Sequence, residues 1–254
     1  MEISPVNNNI NSIKNRDDRK IKAGVAAMTI LSTGTALAHI SKKQGFSLSP
    51  SVIKKTPIKD WAVFGIYNKK HPNKKLVEIE EKEILELATA SVAGGLAGGA
   101  LFDDKKHLKA KLRESVNQLF GNVAVPVACV SLVSHLYKKN KSGILRAIPQ
   151  IKETGKVSRN FNSALRAIPL SIATLLSLGI GIVTGNKVSN YINEKIFNKK
   201  VDRNIKASDF APHVDDVGMA VSLMADKTPL STTITRTVPA FLCVPGIEVG
   251  MHRD

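Results

Sequence analysis

The chain has 254 residues, of which 43% are hydrophobic, so it is long enough to bury a core as one large domain or one helix bundle. Its formal net charge of +16 is carried mostly by lysines, and only 5% of the residues are aromatic. Cations without neighbouring aromatic rings disfavour a nucleic-acid partner and fit an anionic lipid surface at least as well. Cys129 and Cys243 lie in apolar stretches, and neither their number nor their spacing suggests a disulfide framework or a zinc knuckle.

Uncharged runs alternate with lysine-dense connectors along the whole chain. The clearest run covers residues 167–186, with Arg166 just before it and Lys187 just after it. About 20 residues at ~1.5 Å each span ~30 Å, the thickness of a bilayer's hydrocarbon layer. The pattern predicts an all-α integral membrane protein with about four transmembrane helices and a broken apolar element at the C-terminal end.

The first 41 residues divide into a polar part and an apolar part. Residues 1–22 are polar and aperiodic, which predicts a disordered tail. Residues 23–41 carry no charge and predict the first transmembrane helix. Ala36, Leu37 and Ala38 also resemble a small-residue cleavage site, so a cleaved signal peptide is the alternative.

Residues 42–76 form a basic connector with an aromatic segment. Its prolines break any long helix, while Trp61, Phe64 and Tyr67 are three apart and could lie on one side of a short helix at the headgroup level. An ordinary core patch explains them equally well.

Residues 77–102 predict a helix that ends in the second, glycine-rich transmembrane segment. Four glycines form two overlapping GxxxG steps, Gly94 with Gly98 and Gly95 with Gly99. Such steps remove side-chain bulk and let another helix approach closely. The sequence therefore predicts these glycines as helix-packing residues, with a homo-oligomer formed through this helix as one outcome.

A charged connector at 103–114 leads into the third predicted transmembrane helix, 115–137. Pro126 lies inside that run and predicts a kink or a break. His135 is near the basic end of the run, which favours an interfacial position over a functional one.

The next basic connector, 138–164, is expected to contain a surface helix, and 165–187 is the fourth transmembrane helix. The sequence Leu-Arg-Ala-Ile-Pro occurs at 145–149 and again at 165–169. Proline suits a first helical turn and arginine suits the headgroup layer, so each copy predicts a helix start.

The last two segments are 188–206, predicted as an amphipathic helix or an exposed extension of the span, and 207–254, predicted as short helices that could be membrane-embedded. His213, Asp215 and Asp216 are a compact set of potential metal ligands, but an aspartate N-cap of a short helix explains them more simply.

Arg236 divides the final apolar stretch, which predicts that it lies at the headgroup level and that this element does not span.

No catalytic or phosphate-binding motif is recognisable, and no cofactor or metal is predicted. The sequence favours a multi-pass membrane protein that acts as a non-enzymatic scaffold or assembly component through its glycine-rich helix, with the lipid bilayer, including anionic lipids, as its partner. A small channel or transporter subunit, a membrane hydrolase using His213, and a soluble all-helical basic protein are the alternatives. Lysines and arginines are nearly balanced between the two predicted sides of the membrane, so the orientation is open. The identity of the membrane is open as well.

Overall fold

A computed structural model describes residues 5–61, 64–199, 205–214 and 236–253. These residues form helices and connecting loops, with one isolated antiparallel bridge between Phe46 and Asn68. The α-helices are α1 (Pro5–Lys43), α2 (Pro50–Lys55), α3 (Glu81–Phe102), α4 (Leu108–Val116), α5 (Val125–Arg146), α6 (Lys156–Phe197) and α7 (Cys243–Met251). A π-helix, Asn117–Ala124, joins α4 to α5 without a break, and short 3-10 helices cover Ile58–Asp60, Lys105–His107 and Ala207–His213.

Four helical segments are long and apolar enough to cross a membrane, which confirms the all-α membrane-protein class. They are Asp18–Lys43, Glu81–Phe102, Lys105–Arg146 and Lys156–Phe197. Large apolar side chains also point outward from them, as a lipid-facing surface requires. Examples are Leu31 at 65% exposed, Leu132 at 61%, Leu176 at 62% and Ile180 at 63%.

The helices pack as two groups that meet along α4 and the π-helix. α3 lies between α1 and α7, while α5 packs chiefly on α6. The larger core cluster joins Ile40, Ile84, Leu87, Val127 and Leu242, and thus links the first group to the start of α5. The smaller cluster holds the α5–α6 pair through Val130, Leu178 and Ile182.

Several expected boundaries differ because helices continue through polar sequence. α1 begins at Pro5, inside the segment predicted to be a disordered tail. The Leu-Arg-Ala-Ile-Pro copies do not start helices: the first ends α5, and the second lies inside α6, which begins at Lys156. α6 continues to Phe197, so residues 188–197 are an extension of the span. A helix that is already hydrogen-bonded in its first turn continues through polar residues at little cost, because propagation is easier than nucleation.

The aromatic segment does not form one face of a helix. Trp61 and Tyr67 are exposed, whereas Phe64 packs against the larger core cluster.

At Pro126 the chain neither breaks nor loses its helical course. The proline occupies the second residue of α5, directly after the π-helix, where the changed hydrogen-bond spacing accommodates it.

The C-terminal element lies along α3. Residues 236–241 are helical, a turn follows at Leu242, and α7 completes the element. Val238 and Leu242 join the core cluster that contains Ile84 and Leu87 of α3, while α7 faces the glycines further along α3. These contacts place the start of the element near the α3 N-terminus, and the element runs beside most of α3 from there. Arg236, at this start, is exposed. The predicted position of Arg236 relative to the headgroups remains a prediction.

Candidate functional site

Gly94 and Gly98 lie where α3 crosses α1. A β-carbon added at Gly94 would be 2.6 Å from the Ser32 Cβ and 2.7 Å from the Met28 carbonyl oxygen. One added at Gly98 would be 2.8 Å from the Val25 Cα. Real β-carbons do not approach other atoms this closely, so only glycine permits this separation of the two backbones.

Gly95 and Gly99 lie on the neighbouring face of α3 and contact α7. A β-carbon at Gly95 would overlap the backbone of Gly246, and one at Gly99 would be 2.8 Å from the Gly250 carbonyl oxygen. Gly246 and Gly250 form a GxxxG step of their own, which the sequence analysis missed although the spacing is visible in the sequence. All four α3 glycines are buried, so in this fold neither pair is open to a second copy of the chain.

A third close crossing joins α6 to the π-helix and the start of α5. A β-carbon at Gly181 would be 2.6 Å from the Pro126 Cα, and one at Gly185 would overlap the Gly121 carbonyl. The π-helix thus replaces side-chain packing with backbone contact at the point where it meets α6.

Buried polar side chains follow α4 and the π-helix, on the side that faces α7. The first is Lys111, which has no exposed surface. Its Nζ donates to the Asp103 carboxylate at 2.8 Å, to the Gly250 carbonyl at 2.6 Å and to the His252 carbonyl at 3.0 Å. All three ammonium hydrogens are satisfied, and two of the acceptors belong to the C-terminal segment.

Asp103 links this lysine to the surface. Arg253 donates from Nε to Asp103 and from NH1 to Asp18, each at 3.0 Å. Burial disfavours the charged carboxylate, but the hydrogen bonds from Lys111 and Arg253 outweigh it and hold the pKa of Asp103 well below its usual value. The four charged groups therefore join the interior of α1 and the C-cap of α3 to α4 and to the residues after α7.

Glu114 and Gln118 continue the polar row. Gln118 Nε2 donates to Glu114 Oε1 at 2.7 Å and to Glu248 Oε2 of α7 at 2.5 Å. Asn117 Nδ2 donates to the other oxygen of Glu114 at 3.0 Å. A single amide group thus bridges two carboxylates on different helices.

Asn122 ends the row at the 3-10 helix Ala207–His213. Its Nδ2 donates to Gln118 Oε1 at 2.9 Å and to Asp209 Oδ1 at 2.7 Å. His213 has no exposed surface, and its Nε2 donates to the Asn122 carbonyl at 2.8 Å. We call the row the polar seam; it comprises Asp103, Lys111, Glu114, Asn117, Gln118, Asn122, Asp209, His213 and Glu248.

The polar seam lies beside the span formed by α3. Lys111 is level with Gly99, and Glu248 lies between Gly246 and Gly250 on the helix that faces Ser91 to Gly99. The charged connector 103–114 is exposed over most of its first half, but Lys111, Arg113 and Glu114 are buried. Ionisable groups buried beside a helix long and apolar enough to cross a membrane are candidates for a functional site.

The seam's donor set does not favour a metal. Within the described ranges no group of three or more histidine, cysteine, aspartate or glutamate side chains is arranged to hold a metal ion. His213 is committed to a backbone carbonyl, and Asp215 and Asp216 lie outside the described residues. Of the seam residues, only His213 stood out in the sequence as a candidate. A signal was present in the spacing of Lys111, Glu114, Gln118 and Asn122, which places polar side chains on one helical face.

We predict that the α3 glycines are required for packing. Gly95→Ala and Gly98→Ala should lower the melting temperature, because overpacking costs about 1–3 kcal/mol. Gly34→Ala is the matched control, since a β-carbon there meets nothing within 4 Å. It should be neutral or slightly stabilising, by about 0.5–1 kcal/mol, as in a helix interior. Thermal unfolding in detergent measures all three, and equal melting temperatures would contradict the assignment.

A second prediction concerns the Asp103–Lys111 pair. Asp103→Asn leaves a buried ammonium without its counter-charge and should destabilise the protein by about 3–5 kcal/mol, and a further Lys111→Met should recover much of this loss. Since the folded pKa of Asp103 is lowered, its stabilisation is complete above the unfolded pKa of about 3.9 and is lost as pH falls further. The stability gap between wild type and Asp103→Asn should therefore narrow below about pH 4. A gap that stays constant down to acidic pH would rule out this pairing.

No protein-family model matches the chain, and searches of curated proteins and of solved structures find no match either.

Proposed function

We propose that this chain is a multi-pass membrane protein that acts as a non-enzymatic scaffold or assembly component. The observation that carries the proposal is the internal closure of the bundle: α3 is held between α1 and α7 by backbone contacts at four glycines. Such contacts leave little freedom for one helix to move against another. A rigid bundle with an apolar outer surface and long basic ends suits a protein that positions other components.

The scaffold proposal differs in one respect from the sequence-based expectation. The glycine faces of α3 are occupied within the chain, so assembly would use the outer helix surfaces and the ends of α5 and α6. A homo-oligomer through the glycine-rich helix would require α1 or α7 to leave its place.

Membrane integration is tested by a carbonate wash of the membrane fraction. The full-length protein should remain in the pellet, because four apolar helices are held by lipid and not by charge. Release into the supernatant would exclude the membrane proposal and favour the soluble all-helical alternative. A peripheral protein bound through its lysines serves as the control for extraction.

A transport function is the second candidate, and the polar seam favours it. Glu114 and Glu248 are bridged by Gln118 beside the α3 span, and carboxylates among transmembrane helices occur in proton and ion pathways. A fully hydrogen-bonded seam equally serves to fix the helices in place. The two roles differ in what happens when one carboxylate loses its charge without changing shape.

Glu248→Gln separates these two functions. If the protein is a scaffold, neither the wild type nor Glu248→Gln should dissipate a proton or sodium gradient across liposomes. The substitution should then change only the melting temperature. As a transport residue, Glu248 should be required for a flux that the wild-type protein shows. A fluorescent reporter of the gradient in proteoliposomes measures the flux, and thermal unfolding measures the melting temperature. Glu86→Gln is a carboxylate control outside the seam.

A further inference from the structure

The end of the α5–α6 hairpin is a strongly cationic surface. Residues 138–166 contain one carboxylate, Glu153, and every basic residue in this range is exposed. The basic residues are Lys138, Lys139, Lys141, Arg146, Lys152, Lys156, Arg159 and Arg166. Such a density of like charge is unfavourable in isolation and calls for an anionic partner.

The hairpin end is a folded unit. Asn162 is 2% exposed, and its side chain accepts from the Ile151 amide at 3.0 Å and donates to the Ile151 carbonyl at 2.8 Å. Ser158 Oγ accepts from the amides of Thr154 and Gly155. These bonds hold the connecting loop against the first turns of α6, so the cations are displayed at fixed positions.

Most of these cations fall into two groups by height above the membrane. If residues 167–186 fill the hydrocarbon layer, Arg159 and Lys156 lie ~12 and ~16 Å before its edge at 1.5 Å per residue. The headgroup layer adds only ~5–8 Å on each side. Arg146, nine residues beyond Tyr137, is at a similar height of ~13 Å.

We call Arg146, Lys156 and Arg159 the outer cations, and Lys138, Lys139 and Lys141 the inner cations. Lys152 and Arg166 belong to neither group, because Ile151 is held against Asn162, ~7.5 Å before the hydrocarbon edge, and Arg166 donates to Gln150 of the same loop. The inner cations can reach the headgroups of the membrane that α5 and α6 cross. The outer cations lie beyond that layer, and within the described residues the structure gives their side chains no ion pair or hydrogen bond.

Apolar side chains are exposed among the outer cations. Val157 is 84% exposed, Phe161 is 50% and Ile151 is 49%. Basic residues next to exposed apolar ones are typical of surfaces that bind the interface of an anionic bilayer. Phe161 is the only aromatic residue in 138–166, which disfavours nucleic acid because base stacking uses several aromatic rings.

We propose that the outer end of the α5–α6 hairpin docks onto a second, apposed anionic membrane, and that the protein thereby links two bilayers. The outer cations bind lipid phosphates and carboxylates, and Val157 and Phe161 enter the boundary between headgroups and acyl chains. The inference rests on the proposed function, since it requires α5 and α6 to be embedded in a first membrane.

The test uses the full-length protein in nanodiscs of neutral phosphatidylcholine. These are mixed with vesicles of phosphatidylcholine alone or with added phosphatidylserine, and co-flotation measures bridging. The wild type should bind the phosphatidylserine vesicles at least tenfold more strongly than the neutral ones. Replacing the three outer cations with Gln should abolish this difference.

The matched control replaces the three inner cations with Gln, which removes the same charge and should retain most of the bridging. Equal losses in the two variants, or none in either, would overturn the assignment to the outer cations. Val157→Ser with Phe161→Ser should weaken binding several-fold; an unchanged affinity would remove the apolar part of the proposal. Circular dichroism of every variant shows that the fold is retained.

Two further outcomes are distinguishable. If the wild type does not enter nanodiscs and stays soluble without detergent, the proposed membrane function fails before bridging is measured. If it enters them but binds single-stranded RNA more tightly than phosphatidylserine vesicles at equal phosphate concentration, the docking proposal fails while the membrane function stands.

Discussion

The approach of α3 to two helices at once is the constraint on which most of the structure depends. Gly94 and Gly95, like Gly98 and Gly99, are neighbours in sequence and so face about 100° apart around the helix axis. One row receives α1 and the other receives α7. Larger residues at Gly95 or Gly99 would separate the backbones and move α7, which supplies the Gly250 carbonyl and the Glu248 carboxylate to the polar seam. The glycine contacts therefore set the geometry of the buried charges.

The polar seam shows how a chain can bury charge next to an apolar span. Removing Lys111 and Asp103 from water is costly, and the cost is offset only because each charge meets an opposite charge and further hydrogen-bonding groups. For Glu114 and Glu248, hydrogen bonds from the amide side chains of Asn117 and Gln118 offset the cost of leaving water. Every one of these interactions has strict geometry, so the seam specifies one arrangement of α4, α7 and the 3-10 helix Ala207–His213.

The long helices give the molecule its two kinds of surface. α6 has 42 residues, which is ~63 Å of helix and about twice the thickness of the hydrocarbon layer. Its apolar middle packs on α5, while its first turns, together with the end of α5, form the cationic hairpin end. The same continuous helix thus joins a membrane-crossing part to a part that reaches well beyond the headgroups.

The sequence by itself determined the all-α membrane-protein class and the presence of four helices long and apolar enough to span. Charge-free runs of bilayer length are a one-dimensional signal, because crossing lipid depends on local composition and not on which helices are neighbours. It also determined that the α3 glycines are packing residues in principle, since GxxxG removes bulk from a helix face whatever the partner.

Only the tertiary structure decided which partner each face meets. The assignment of one glycine row to α1 and the other to α7 depends on contacts between residues up to 155 positions apart. Residues 103–114 read in the sequence as a charged connector, and a connector rich in lysine and acid is usually solvated. Lys111 is buried because α7 and the residues after it bring two carbonyls to its ammonium group, and Asn193 of α6 donates to the Arg113 carbonyl. No local pattern records where such distant partners will lie.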